Sequence, residues 1–309
     1  MIILLGGTGY VAGAFQKHLG ALGLPYEVVS RKTVDYTHGG GLAAFLRDRR
    51  PEFVINAAGF TGRPNVDACE VAKSECLAGN ALLPGIIRSA CEAASVPWGH
   101  VSSGCIYTGA RPDGSGFREV DAPNFSFRTN NCSFYSGCKA LGEELLAGAE
   151  RCFIWRLRIP FNEMDSPRNY ISKMMRYDRL LDARNSLSQL EEFVAACFRC
   201  WQQRVPFGIY NLTNPGSVST RDVVALISKF GLSSKPFEFF DSEEQFMATA
   251  AKTPRSNCVL DVSKAQAAGI LMDPVHVALE KAMGTWEWSA DGRANKLAFP
   301  SLNPKVTPH

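Results

Sequence analysis

Residues 1–13 read MIILLGGTGYVAG. An apolar tetrad, Ile2 to Leu5, runs directly into Gly6, Gly7, Thr8 and Gly9, and a helical pattern opens at Tyr10. Strand, glycine turn and helix in that order are what a dinucleotide site needs. The turn is tight, a pyrophosphate must come close to bare backbone, and the helix must then pack flat on the sheet, where Gly13 leaves room. The helix start offers unpaired N–H groups and a positive dipole end to the phosphate. A glycine turn can also be purely structural, but its place between a buried strand and a helix favours a cofactor. Gly6, Gly7, Thr8, Gly9, Tyr10 and Val11 are the first candidate contacts.

Outward from this turn, short apolar or β-branched runs alternate with helical patterns. IILL is followed by a helix over 10–22, YEVVS by one over 41–49, FVINAA by 70–94, WGHVSS by 135–149, and CFIWRLR closes the series. Such alternation predicts βαβ units on a parallel sheet covered on both faces, an α/β doubly wound (Rossmann) fold. Beyond about residue 160 the rhythm changes. NYISKMMRYDRLL and LSQLEEFVAACFRCW read as helices, GIYNLT as a strand, TRDVVALISKF as a helix, KPFEFF as extended, and 262–269 and 275–285 as helical pieces. No Pro/Gly/Ser-rich linker separates the halves. The expected division is a dinucleotide-binding domain over 1–160 with later strands returning to its sheet, a smaller substrate-binding lobe over 161–288, and an irregular tail over 289–309.

Bulk properties exclude several classes. The chain has 309 residues, 46% hydrophobic and 20% charged, an ordinary globular composition. A formal net charge of +3 offers no general attraction to nucleic acid. The start has no charged region ahead of its brief apolar run, so neither a signal peptide nor a membrane span is expected there, and no later window reaches membrane-spanning length. Ten scattered cysteines suit reduced thiols in the cytoplasm better than a disulfide framework. Cys197 and Cys200 form a single C-x-x-C inside an apolar-periodic helix, and helix packing is expected there rather than metal, which would need four ligands.

Two further clusters carry chemistry. The second strand ends in Ser30, Arg31 and Lys32, where an acidic residue would bind the ribose of NAD. A guanidinium there suits a 2′-phosphate, so NADPH is the expected cofactor, with NADH an alternative. The strand end at Asn56, Ala57 and Ala58, together with Asn80, is expected to shape the nicotinamide side. Tyr135 and Lys139 lie four apart at a helix start and share a face. The ammonium should lower the phenol's pKa, and the tyrosine can then give a proton to a developing alkoxide as a carbonyl carbon takes hydride. Ser103, at the end of the fourth strand, falls where ligands sit in open α/β sheets and can hydrogen-bond the same oxygen. Cys105, two residues on, is surplus to a plain ketone reduction.

The glycine loop, NAAG, SSGCIY and YSGCK resemble the extended short-chain dehydrogenase/reductase superfamily. More narrowly, NAAGFTGRPNVDACE, GCIY, GFREVDAPNFS, FYSGCKALGEELL, RLRIPF, PRNYISKMMRY, YNLTNPGSVS and PRSNCVLD resemble the nucleotide-rhamnose synthase/epimerase-reductase family, from the start to about residue 285. The third loop glycine of the fingerprint is Ala12 here, a tolerated swap. The resemblance implies a bifunctional 3,5-epimerase/4-reductase of an NDP-4-keto-6-deoxyglucose, making NDP-L-rhamnose, with UDP as the favoured nucleotide. It also explains the extra thiol. Hydrogens at C3 and C5 flank the C4 carbonyl and are acidic, and inverting those carbons needs a base on one face and an acid on the other. Carried over by motif, these roles fall to Cys105 and Lys173. Arg63, Asn65, Ser103, Cys105, Ile106, Tyr107, Arg168, Asn169, Lys173 and Arg255 are the candidate substrate contacts. Dimerisation through helices flanking the sheet is expected by superfamily analogy. Three rivals stay open: an enzyme similar to GDP-L-fucose synthase, whose partner acid is a histidine that has no counterpart here; a reductase-only dTDP-4-dehydrorhamnose reductase, which does not need Cys105; and a silent NADP-binding regulatory subunit resembling the methionine adenosyltransferase β subunit.

Overall fold

The computed structural model describes residues 1–62 and 65–290. Its first half consists of β1 (Ile2–Leu5), α1 (Tyr10–Ala21), β2 (Tyr26–Val29), α2 (Gly39–Arg49), β3 (Phe53–Asn56), α3 (Lys73–Leu77), α4 (Leu83–Ala93), β4 (Trp98–Ser103), α5 (Phe134–Leu145) and β5 (Cys152–Leu157). The second half adds β6 (Pro160–Phe161), α6 (Tyr170–Arg176), β7 (Arg179–Leu180), β8 (Arg184–Asn185), β9 (Ser188–Gln189), α7 (Leu190–Gln202) and β10 (Gly208–Asn211). The chain closes with β11 (Val218–Ser219), α8 (Thr220–Lys229), β12 (Glu238–Phe239), α9 (Glu243–Thr249), α10 (Ser263–Ala267) and α11 (Val275–Gly284).

β1, β3 and β5 are buried at every position, as strands covered on both faces must be. The main sheet has six strands in the order β10-β5-β4-β3-β1-β2. All its pairings are parallel, with Leu4 opposite both Val28 and Ile55. The chain turns one way from β1 to β2 and the other way to β3, so the order reverses between β1 and β3. Ligands in such sheets sit beyond the carboxyl ends of the strands at that reversal.

One apolar layer joins α1 and α7 to the sheet through Phe15, Leu19, Phe193 and Cys197 against Phe53 and Trp155. The other joins α2 and α4 through Leu42, Leu46, Ile87 and Cys91 against Val54 and Trp98. Cys197 and Cys200 are both fully buried on α7, so packing explains the C-x-x-C. A third core, with Phe161, Ile171, Leu187, Val223, Ile227 and Leu279, belongs to the second half. From the second half, α7 packs on the main sheet and β10 pairs with β5 within it.

Two expected helices come out differently. The pattern over 169–181 ends as a helix at Arg176. Tyr177 turns extended (φ −73°, ψ 136°), and Arg179–Leu180 instead pairs with Glu238–Phe239. The pattern over 70–94 is broken into a 3₁₀ turn at Val66–Glu70, the short α3, a π-helical turn at Ala78–Leu82 and α4. Of the expected tail over 289–309, residues from 291 on lie outside the described residues.

Candidate active site

Gly6 has φ +82°, and a Cβ there would lie 2.5 Å from the Ala58 nitrogen, so only glycine lets the first turn press against the loop after β3. Gly9 caps α1 with no side-chain hydrogen bond, and no acidic residue stands in the first turn. The helix thus presents free N–H groups and an unopposed positive end, which fits a pyrophosphate. At Gly7 a Cβ would meet Val28 Cγ1 at 2.0 Å, so that glycine serves packing on β2.

A cavity of about 1440 Å³ opens from this turn across the carboxyl ends of the strands and into the second half. It exceeds the ~300–1,000 Å³ of a typical small-molecule site and leaves room for a dinucleotide and a second ligand together. Thr8, Gly9, Tyr10, Val11, Ala57, Ala58, Asn80, Ser103, Cys105, Tyr135 and Lys139 line it, as do Asn65, Arg168, Lys173 and Arg255. Residues expected to handle hydride transfer and those expected to invert carbon centres therefore face one volume.

Local structure explains their placement. Ser103 ends β4 and caps the 3₁₀ turn Gly104–Ile106, its hydroxyl accepting from the Cys105 N–H at 3.2 Å. Ser133 caps α5 by accepting from Ser136 N at 3.1 Å, and Tyr135 and Lys139 follow on the cavity face. Lys139 Nζ donates to the Val101 carbonyl at 3.4 Å. Asn80, in the π turn, donates to the Phe60 carbonyl at 2.6 Å and accepts from Phe60 N at 3.1 Å, which holds the loop after β3. π turns often occur at functional sites, and here one turns an amide toward a loop that a regular helix would bypass.

The electrostatics correct one expectation. Tyr135 is pushed well above the ordinary phenol value, first by burial and then by Cys105, with Arg158 opposing. Lys139 is itself lowered by burial. In the protein alone, desolvation outweighs the expected lowering by the neighbouring ammonium, and the phenol keeps the proton that a general acid must give. Burial pushes the Cys105 thiol up, opposed by Ser103, Arg158 and Lys139. Burial, followed by the Arg168 charge, pushes Lys173 down.

Several expected contacts do other work. Ile106 and Tyr107 are fully buried behind the site, because the 3₁₀ turn sends them into a core with Phe117 and Leu260. The Tyr107 hydroxyl donates to the Asp121 carbonyl at 2.7 Å. Asn169 is also buried. It caps α6 by accepting from Ile171 N and donates to the Asn162 and Met164 carbonyls, each at 2.8 Å. Asn56 is buried behind its loop, its Oδ1 accepting from Ala58 N at 3.0 Å and its amide 2.9 Å from His100 Nδ1. Arg255 is held in a two-pronged pair with Asp67, both contacts 2.7 Å, so its charge is already answered. Asn65 lines the cavity, but its side-chain oxygen Oδ1 accepts from Asp67 N as a cap. Arg168 ties α6 to the loop at Thr61 and Gly62. Ser30 closes its own turn on Lys32 N and Thr33 N, and Arg31 is exposed outside the cavity wall. Arg31 acts on Tyr36, whose phenol meets the Gly6 backbone, which puts the guanidinium at the glycine-turn end. Arg63 lies outside the described residues.

Sequence reading does not reveal Arg158, His100, Tyr36 or the buried pair of Glu143 and Arg156. Each matters through what packs against it, and no spacing signals that. No group of residues able to hold a metal occurs among the described residues, and no described helix is long and apolar enough to cross a membrane.

Fold and site together define an enzyme of the extended short-chain dehydrogenase/reductase class. The chain belongs to the RmlD substrate-binding domain family, whose pattern matches residues 1–287. A bifunctional dTDP-4-dehydrorhamnose 3,5-epimerase/dTDP-4-dehydrorhamnose reductase of Arabidopsis thaliana is 35% identical over 267 residues, covering 85% of each chain. A trifunctional UDP-glucose 4,6-dehydratase/UDP-4-keto-6-deoxy-D-glucose 3,5-epimerase/UDP-4-keto-L-rhamnose-reductase of the same plant is 34% identical, and the chain spans 39% of its length. Among solved structures, the UDP-rhamnose synthase of Acanthamoeba polyphaga mimivirus superposes with a TM-score of 0.83 at 24% identity, over 92% of this chain and 98% of that one. A dTDP-4-dehydrorhamnose reductase of Bacillus anthracis in complex with NADP shares the fold with a TM-score of 0.76 at 18% identity, over 91% and 96%.

Proposed function

We propose that the protein is an NADPH-dependent 3,5-epimerase/4-reductase of an NDP-4-keto-6-deoxyglucose, with UDP as the nucleotide and an NDP-L-rhamnose as the product. The observation that carries this reading is that Cys105 and Lys173 line the same cavity as Tyr135, Lys139 and Ser103. A reductase alone has no use for the first two, and a silent subunit has no use for any of them. The printed activities of the plant relatives, epimerase and reductase together, point the same way.

Gly6, Gly9 and the open start of α1 would hold the pyrophosphate, with Arg31 at the 2′-phosphate. The bound cofactor supplies hydride to C4. The chain's own residues do the rest. One of Cys105 and Lys173 takes the proton from C3 or C5, electrons shift toward the C4 oxygen, and the other returns a proton on the opposite face. Ser103 and Tyr135 hold that oxygen, and Tyr135 gives it a proton as the carbon is reduced. The raised phenol pKa keeps that proton in place until negative charge develops.

Incubation with UDP-4-keto-6-deoxyglucose in deuterated water, with the dTDP and GDP sugars in parallel, tests the reading. The expected result is deuterium at C3 and C5, NADPH consumption and a preference for UDP. Reduction without exchange would leave a simple reductase. Ten free thiols fit a reducing, cytoplasmic setting. A homodimer through α4 and α5 belongs to the same reading, because Leu82 just before α4 and Leu145 at the end of α5 are 48% and 40% exposed.

A further inference from the structure

Arg156 on β5 and Arg158 just beyond it are both buried, and only one of them is answered by a carboxylate. Arg156 is paired with Glu143, its Nη2 2.6 Å from the carboxylate. Arg158 is 5% exposed, lines the cavity and makes no ion pair among the described residues. Its Nη2 donates to Asn185 Oδ1 at 2.7 Å and to the Ser256 carbonyl. Its Nε is buried without a partner. A buried charge with no counter-charge is costly, and an unpaired buried donor calls for a reason.

The backbone is strained to keep it there. Ile159 sits at φ +39°, a conformation a β-branched residue avoids and one that a following proline, Pro160, disfavours further. Arg158 is pinned by Ser188 on both sides, its N–H donating to the hydroxyl at 3.0 Å and its carbonyl accepting from Ser188 N at 2.7 Å. Strain of this kind persists where the surrounding structure enforces it, and functional sites are where it gathers.

The neighbour that gains is the turn bearing Cys105. Gly104 has no side chain, and a Cβ there would lie 3.5 Å from Arg158 Cδ, so the arginine stem lies along the turn. Asn185 Oδ1, which accepts from Arg158, also accepts from Cys258 N at 3.0 Å, and the Cys258 thiol donates to the Gly104 carbonyl at 3.2 Å. Guanidinium and cysteine turn are thus one hydrogen-bonded unit. The groups acting on or beside the Cys105 thiol are Ser103, Arg158, Lys139 and Ser136, with Tyr135 on α5, Cys69 in the 3₁₀ turn Val66–Glu70 and Cys132 ahead of α5. Lys139, the other cation of this set, is on α5 and donates to the Val101 carbonyl at 3.4 Å.

We propose that Arg158 is a positioning residue for epimerisation, its unanswered charge serving as the counter-cation of the Cys105 thiolate. This rests on the epimerase reading of the site, but it can be tested without the sugar. Iodoacetamide is small enough to enter the cavity, and alkylation of Cys105 in the full chain can be followed against pH by peptide mass spectrometry. R158Q should slow alkylation about tenfold at a given pH below the limb, equivalent to a shift of about one unit upward, because only the thiolate reacts. R158K loses the same planar fork but keeps the charge, and should stay within about threefold of the parent. N185D sets a carboxylate against the guanidinium and should shift the limb in the direction of R158Q, which covers the case in which R158Q does not fold. An unmoved limb in R158Q or N185D, or equal shifts in R158Q and R158K, overturns the role of Arg158. Undiminished C3 and C5 exchange in Cys105→Ala overturns the epimerase reading instead, and the two failures are told apart by which protein shows them.

Discussion

Cys105 and Lys173 are drawn toward each other on the pH scale: burial raises the thiol and lowers the amine. Proton abstraction by a thiol raised above its usual range must quicken as pH rises, so deuterium exchange into the sugar should climb through neutral into alkaline pH. Cys105→Ala should remove that climb while leaving hydride transfer to an already epimerised 4-keto sugar within a few-fold of the parent. Tyr135→Phe should do the reverse, cutting reduction by roughly 10²–10⁴ as expected for loss of a general acid, with exchange retained. At the cofactor, Arg31→Asp should raise KM for NADPH by about tenfold to a hundredfold, since a charge-assisted hydrogen bond is worth about 1.5–3 kcal/mol, and should change KM for NADH far less. Equal changes would remove Arg31 from the 2′-phosphate. Residues that bear their own chemistry, such as Tyr135, Lys139, Ser103 and Cys105, were legible as chain positions. Arg158 was not, because an arginine's meaning lies in the carboxylate it lacks. Tyr107 and Asn169 misled because sequence adjacency to a reactive residue says nothing of which way a 3₁₀ turn or a helix cap points them.

Among the elements, the main-sheet strands and their flanking helices could be read from periodicity, since each is long enough to show it. β7, β8, β9 and β12 could not, being two residues each and defined only by a distant partner. The π turn was equally invisible, yet it fixes Asn80 and governs how α5 approaches. Gly142 on α5 would, with a Cβ, come within 2.2 Å of the Asn80 carbonyl oxygen. That atom is backbone and cannot swing aside, so Gly142→Ala should destabilise by about 1–3 kcal/mol through overpacking, read as a lowered midpoint in thermal or urea unfolding. An unchanged midpoint would mean that α5 can slide without cost. The buried pair of Arg156 on β5 and Glu143 on α5 fixes the same helix from the other side, with Ser102 donating to the carboxylate at 2.5 Å. Arg156→Met alone should cost about 3–5 kcal/mol, because it leaves Glu143 buried and unpaired, whereas Arg156→Met with Glu143→Leu should recover much of that loss. A double mutant no better than the single would show that the carboxylate finds another partner.

Across the whole molecule, acid stability follows from a histidine that cannot take a proton. Asn56 Oδ1 accepts from Ala58 N, so the amide nitrogen faces His100 Nδ1, and that ring nitrogen must accept. His100 is 2% exposed and its pKa is pushed well below 6.5, first by burial and then by the Lys139 charge. Its unfolded form, by contrast, titrates near the ordinary value. Above pH 6.5 both states are neutral and nothing is lost. As pH falls below 6.5 the unfolded chain binds a proton that the folded chain refuses, so stability drops by up to about 1.4 kcal/mol per pH unit until the folded value is reached. The lowered carboxyls of Asp67 and Asp165 start from 3.8 and act only at lower pH, while Glu192, raised by burial, opposes the histidine effect within the window. His18, also lowered by burial, adds a contribution of the same sign. Urea unfolding at steps between pH 7 and pH 5 should therefore show a falling free energy, and His100→Gln, which keeps an acceptor for Asn56, should flatten most of that fall. A slope in His100→Gln equal to the parent's would mean that the ring takes its proton in the fold as readily as in the unfolded chain, and that the loop linking β3 to the glycine turn is held some other way.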